Sequence, residues 1–179
     1  MTVNSIREPE RDLPVRGEFD VVVLGGGPAG IAAAASAAAQ GRKTLLVERY
    51  GFLGGMATAG MVSTICGLYH SSPSGAPEPI NEGFAESFAR RLVAMPGCQK
   101  PVRRGRSFVL PYTPFAFACL ADDLVAAVTQ LDVYLHAYLV GVEAGPSRID
   151  ALRIARSRRW PARAGHRATV SGPCDLARQ

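Results

Sequence analysis

Asp20-Val21-Val22-Val23-Leu24-Gly25-Gly26-Gly27-Pro28-Ala29-Gly30 is the stretch from which the rest of the chain is read. An apolar, β-branched run passes directly into three glycines and then into an alanine-rich segment that stops at Gly41. That order reads as strand, tight turn, helix. In such a turn the first glycine permits the sharp exit from the strand. The second lets the backbone approach a pyrophosphate, and the third lets the helix pack closely on the sheet. Gly25, Gly27 and Gly30 occupy those positions, with Pro28 and Ala29 between them where the helix opens. Proline suits the first helical turn, because the N–H it lacks would have no partner there. The remaining amides and the positive end of the helix dipole then face whatever anion lies at the turn. Thr44-Leu45-Leu46-Val47 follows as a second strand ending at Glu48, whose carboxylate is placed to accept hydrogen bonds from both hydroxyls of an adenosine ribose. A glycine-rich turn alone is common. Strand, turn, helix, strand and acid in this order predict a Rossmann-like α/β domain that binds a dinucleotide, the alternative being an α/β packing unit with an empty turn.

The next stretch narrows the ligand. Arg49-Tyr50-Gly51-Phe52-Leu53-Gly54-Gly55-Met56-Ala57-Thr58-Ala59-Gly60 holds four glycines and a hydroxyl at Thr58, a composition suited to backbone that must come close to a ligand. A second glycine loop directly after the ribose-binding acid points toward a flavin dinucleotide. Arg49 beside the ribose site could accept a 2′-phosphate, but Glu48 would repel one, so NADP is disfavoured. Arg49 is read as stacking near the adenine or as exposed.

These residues, with Ile80-Asn81-Glu82-Gly83-Phe84 downstream, resemble the FAD-dependent oxidoreductase family related to the flavoprotein subunits of fumarate reductase and succinate dehydrogenase. The resemblance covers about residues 18–154. It implies a glutathione-reductase-type FAD-binding domain in which the first loop (Gly25, Gly27, Pro28, Ala29, Gly30) holds the pyrophosphate and Glu48 the ribose, with Arg49 alongside. The second loop (Gly54, Gly55, Thr58) would run beside the pyrophosphate toward the isoalloxazine, and the backbone of Leu139 would meet the adenine edge. Leu110-Pro111-Tyr112-Thr113-Pro114 is similar to the family's lead into a helix, with Thr113 where the family has an acid. The implied activity is transfer of a hydride or electrons through bound FAD. The alternative is a non-catalytic FAD-binding fragment or subunit, akin to heterodisulfide-reductase-like flavoproteins, that depends on a capping domain or an electron-transfer partner.

Composition removes other classes. The chain has 179 residues, 47% of them hydrophobic, and a formal charge of +5. The positive surplus is confined to the end: residues 1–150 carry 13 Lys and Arg against 14 Asp and Glu, whereas 151–179 carry seven Arg against Asp175. No nucleic-acid partner is expected from a folded part so balanced. Cys66, Cys98, Cys119 and Cys174 are too widely spaced to form a local zinc or iron–sulfur site, so no metal is expected. Neither a leader nor a membrane span is read, and the expected compartment is the cytoplasm.

Several further residues carry expectations of their own. His70 is the better histidine to face a flavin, and His136 is read as structural within the strand pair of residues 132–143. Cys66 is read as a small buried hydrophobe, or else as a redox partner of the flavin. Arg103, Arg104 and Arg106 form a solvated basic loop, with contact to an anionic substrate as the alternative. Phe84, Phe88, Leu92 and Met95 share one helical face and belong to the core. No residue is singled out as catalytic, and the substrate is not legible. Residues 1–17 read as an arm, either extended or disordered. Residues 155–179 read as an irregular basic tail, either off-frame or natural, lacking the returning strand and the capping domain that the resemblance implies.

Overall fold

The computed structural model describes residues 12–70 and 75–156, and the backbone of 166–175. Its centre is a short parallel sheet of β2 (Val21–Leu24), β3 (Thr44–Val47) and β7 (Leu131–Tyr134), in that spatial order. The registers Val21↔Thr44 and Thr44↔Leu131 align the carboxyl ends of all three strands on one side. All four residues of β3 are buried, as expected for the middle strand of a sheet covered on both faces. Alternation divides them: Leu46 faces the helical layer, while Leu45 and Val47 face the opposite layer.

The helical layer contains α1 (Pro28–Ala39), α2 (Phe84–Val93) and α3 (Pro114–Ala126). Pro28 opens α1, and Gly41, at φ +80°, follows its end, so the expected boundaries hold within a residue. Its buried face is Ile31, Ala34, Ala35 and Ala38, small enough to bring the helix close to the sheet. On α2, Phe88 and Leu92 are buried and Phe84 partly so, matching the periodicity, while Met95, also partly buried, lies two residues past the helix end. Thr113 takes the place of an acid at the start of α3, its hydroxyl accepting from Ala116 N–H at 3.2 Å. Phe115 projects into solvent, whereas Phe117 is 1% exposed and packs on Phe88 and Tyr112 at ring-centroid distances of 4.9 and 5.4 Å. Truncating a side chain so enclosed leaves a cavity. Phe117→Ala is expected to lower stability by about 3–5 kcal/mol, read as a lower urea midpoint at unchanged slope.

The opposite layer is a mixed sheet with β1 (Val15–Glu18) and β8 (Ala137–Ala144) at its edges and β10 (His166–Asp175) and β9 (Arg148–Arg156) between them. Phe19, Ala137, Leu152 and Ile154 pack against Leu45 and Val47. Two expectations change here. The end of the arm, from Val15, is a sheet strand, while residues 1–11 lie outside the described residues. The tail read as irregular contains β10, which pairs antiparallel with β9 and parallel with β1. Ladder pairing uses backbone groups and needs no apolar alternation, so the arginine-rich composition concealed it. Residues 157–165 and 176–179 lie outside the described residues. Among the described residues β2 and β7 each pair with β3 alone, so both edges of the parallel sheet have no neighbouring strand. A third sheet, β4 (Thr64–Cys66), β6 (Ser107–Pro111) and β5 (Val102–Arg104), supports α2 and α3 from the side, with β6 in the middle.

Candidate functional site

At the carboxyl ends of β2 and β3 lies a groove of about 500 Å³, large enough for much of a dinucleotide. Gly25, Glu48, Arg49, Gly55 and Leu139 line it, together with Leu24, Tyr50, Met56 and Tyr138. The first loop enters from β2 through Gly25, at φ +107°, a value that only glycine adopts readily. Gly30 then sits directly under this turn: a Cβ there would overlap the Gly25 carbonyl oxygen. Gly27 differs. Its backbone is extended (φ −73°, ψ 179°), so its glycine is not required by conformation. Instead, a Cβ built there meets nothing within 4 Å, pointing into free space at the start of α1. The helix has no side-chain cap and no acid in its first turn, so the Ala29 and Gly30 amides suit an anionic ligand.

The second loop is bonded to the first. Gly54 N–H donates to Gly26 O at 2.8 Å, and a Cβ on Gly55 would come within 3.0 Å of the Gly27 Cα. Gly54 and Gly55 both have positive φ, 109° and 49°, and the single 3₁₀ turn Gly55–Ala57 follows. Thr58 departs from the expected ligand contact. It is buried, and its hydroxyl donates to Leu53 O at 2.9 Å, satisfying a carbonyl inside the loop itself. Gly54 leaves room for Thr58 and Phe117 on its other side, so the core residue Phe117 also floors this loop. Tyr112 pins the exit: its hydroxyl donates to Val62 O at 2.5 Å, and burial raises the phenol's pKa above the ordinary value.

Glu48 ends β3 as expected, 5% exposed. Its Oε2 accepts from Gly26 N–H at 2.6 Å and its Oε1 from Tyr50 N–H at 2.8 Å. Each carboxylate oxygen has a second lone pair, which leaves capacity for a ribose hydroxyl. Arg49 is exposed and folds over the Tyr50 ring, 4.7 Å from its centroid, while donating to the Tyr50 hydroxyl at 2.7 Å. Tyr50 in turn stacks on Phe52 at 5.8 Å. Across the groove, Leu139 lies at a bulge in β8, next to Tyr138, which is 56% exposed. Strand alternation places an exposed Tyr138 beside Leu139, and that signal was available in the sequence. Gly26 carries no role in the sequence reading, although a Cβ there would come within 2.5 Å of Leu53 Cδ2 and 3.1 Å of Glu48.

The other candidates lie elsewhere. His70 is exposed beside the Tyr69–Pro79 bridge and does not line the groove. His136 occupies the turn between β7 and β8 at φ 53°, not a strand, and its ring covers Gly51. Cys66 is exposed on β4, because alternation on this narrow strand turns Ile65 inward instead. No group of His, Cys, Asp or Glu among the described residues could hold a metal ion, and no helix there is long and apolar enough to cross a membrane. A second cleft of about 180 Å³ lies between α1 and α2, lined by apolar residues including Ile31, Ile65, Phe84 and Phe88.

Two interlocked glycine loops, a helix start free of capping side chains and an acid at the second strand's end define a dinucleotide-binding α/β protein. The chain belongs to the FAD dependent oxidoreductase family, which it matches over residues 20–179. FAD is the cofactor of that family. The chain is 32% identical over 120 residues to digeranylgeranylglycerophospholipid reductase 2 from Methanopyrus kandleri, covering 67% of this chain and 29% of that protein. It is 53% identical over 45 residues to dihydrolipoyl dehydrogenase from Trypanosoma brucei brucei, covering 25% of this chain and 9% of that one. The chain thus spans less than a third of the length of either curated relative. Among solved structures, the anhydrotetracycline hydroxylase OxyS from Streptomyces rimosus superposes with a TM-score of 0.56 at 11% identity, over 87% of this chain and 30% of that one. At that identity the likeness shows the fold alone.

Proposed function

We propose that residues 18–154 bind the ADP half of FAD in the groove between the two glycine loops and serve an oxidoreductase related to the fumarate reductase and succinate dehydrogenase flavoproteins. The observation that carries this reading is the joining of the loops, Gly54 to Gly26, beside a Gly27 whose side-chain direction is clear of protein. The Ala29 and Gly30 amides would hold the pyrophosphate and Glu48 the ribose. The Leu139 backbone and the Arg49–Tyr50 pair would flank the adenine. When bound, FAD supplies acceptance and release of a hydride or an electron pair. The chain's contribution is binding and orientation.

A second reading, that this stretch binds FAD without turning over a substrate by itself, has one observation in its favour. Among the described residues the titratable side chains lining the groove are Glu48, Arg49, Tyr50 and Tyr138, and none is a histidine, lysine or cysteine. Proton-transferring groups would then come from another segment or from an electron-transfer partner.

Equilibrium titration with FAD and with NADP tests the cofactor assignment. FAD is expected to bind at least about tenfold tighter, because the 2′-phosphate of NADP would meet the buried Glu48 carboxylate. NADP binding as tightly as FAD would overturn it.

A further inference from the structure

We propose that Glu48 is a positioning residue that holds both glycine loops in their binding geometry before any cofactor arrives. Its backbone is fixed first: Glu48 N–H donates to Tyr134 O at 2.8 Å, and Ala137 N–H donates to Glu48 O at 2.9 Å. The side chain therefore projects from a rigid point between β3 and the β7–β8 turn. One carboxylate oxygen takes the Gly26 N–H of the first loop at 2.6 Å, and the other takes Tyr50 N–H, where the chain leaves β3 toward the second loop. The Gly26 peptide passes the constraint on. Its N–H is held by Glu48 while its carbonyl accepts Gly54 N–H at 2.8 Å.

Glu48, Gly26 and Gly54 thus form one chain of bonds from the sheet through the first loop to the second. Hydrogen bonds to a charged acceptor are the stronger kind, and a buried amide left without its acceptor is costly. The carboxylate is needed because both of its partners are donors. Glutamine in the same space offers one oxygen and one NH₂ group, so whichever way it turns, a donor faces a donor. Binding of the ribose then comes second, through the lone pairs that the two amides leave over.

Amide hydrogen exchange in the unliganded chain, compared with Glu48→Gln, tests this without any cofactor. The Gly26 and Gly54 amides are expected to exchange about tenfold or more faster in the variant, while amides of β6 keep their protection. Parent rates at Gly26 and Gly54 would overturn the proposal. So would an equal rise in β6, which would make Glu48 a residue of general stability. A second measurement separates positioning from ribose contact, and it alone rests on the cofactor assignment above. Affinities of ADP and of 2′,3′-dideoxy-ADP, which lacks both hydroxyls, are measured for parent and variant. Weakening of the dideoxy compound by about tenfold is expected. A variant that binds the dideoxy compound as the parent does, while losing ADP, would show that Glu48 acts through the ribose alone. A parent that binds neither compound would count against the cofactor assignment, and the exchange result would still decide the role of Glu48.

Discussion

Gly27→Val is expected to abolish measurable FAD binding while the protein stays folded. The Gly27 backbone is extended, a conformation that a β-branched residue accepts, and its Cβ direction meets nothing within 4 Å. At the observed φ of −73° backbone strain contributes nothing to this loss. What remains is exclusion of the ligand. Two methyl groups at the start of α1 would occupy the space that a pyrophosphate needs to reach the Ala29 and Gly30 amides. Losing two hydrogen bonds to a charged group, at about 1.5–3 kcal/mol each, corresponds to an affinity loss of at least about 100-fold. Valine is a poorer N-cap than glycine, so a stability loss of about 1 kcal/mol, or about 2–4 °C in Tm, is expected. Calorimetric titration and thermal unfolding of the same sample check both parts. Stoichiometric FAD on the variant would show that this turn only shapes the fold.

Gly30→Ala should fail in the opposite manner, by disturbing the fold first. In an ordinary helix this change is favourable by about 1 kcal/mol. Here the new methyl group would overlap the Gly25 carbonyl oxygen, a backbone atom fixed by the Gly25 N–H donating to Val47 O at 2.8 Å. Neither side can rotate away, so α1 must move off the sheet, taking the buried Ile31 and Ala34 with it. A net loss of about 3 kcal/mol follows from overpacking of this kind, lowering Tm by about 6–12 °C and removing FAD binding together with stability. A variant with the parent's Tm and affinity would mean that the third glycine is not needed for close packing.

Comparing these two glycines shows what was legible in the sequence and what was not. Val21–Leu24, the glycines, the alanine-rich helix and Thr44–Val47 read correctly because local signals agree: β-branching, special backbone positions and a stop at Gly41. The acid at Glu48 followed from its place at a strand end. Roles that depend on packing between distant segments did not. Thr58 spends its hydroxyl on Leu53 O inside its own loop, and Gly26, an unassigned position of the turn, proves to be the link between Glu48 and Gly54. Cys66 was placed in the core by residue type, whereas the alternation of β4 turns it outward. β10 escaped because it is held by backbone pairing with β9 and β1 in a stretch whose composition suggests neither strand nor helix.

The placement of FAD is tested most directly by following backbone amide resonances of the labelled protein during titration with FAD. The largest shifts are expected at Gly25, Gly27, Ala29, Gly30 and Gly55, with Leu139 marking the adenine end, and smaller ones in β6 and α2. If these loop and Leu139 amides stayed unchanged while the cleft between α1 and α2, around Ile65 and Phe84, responded instead, the assignment of the two glycine loops to the cofactor would be contradicted.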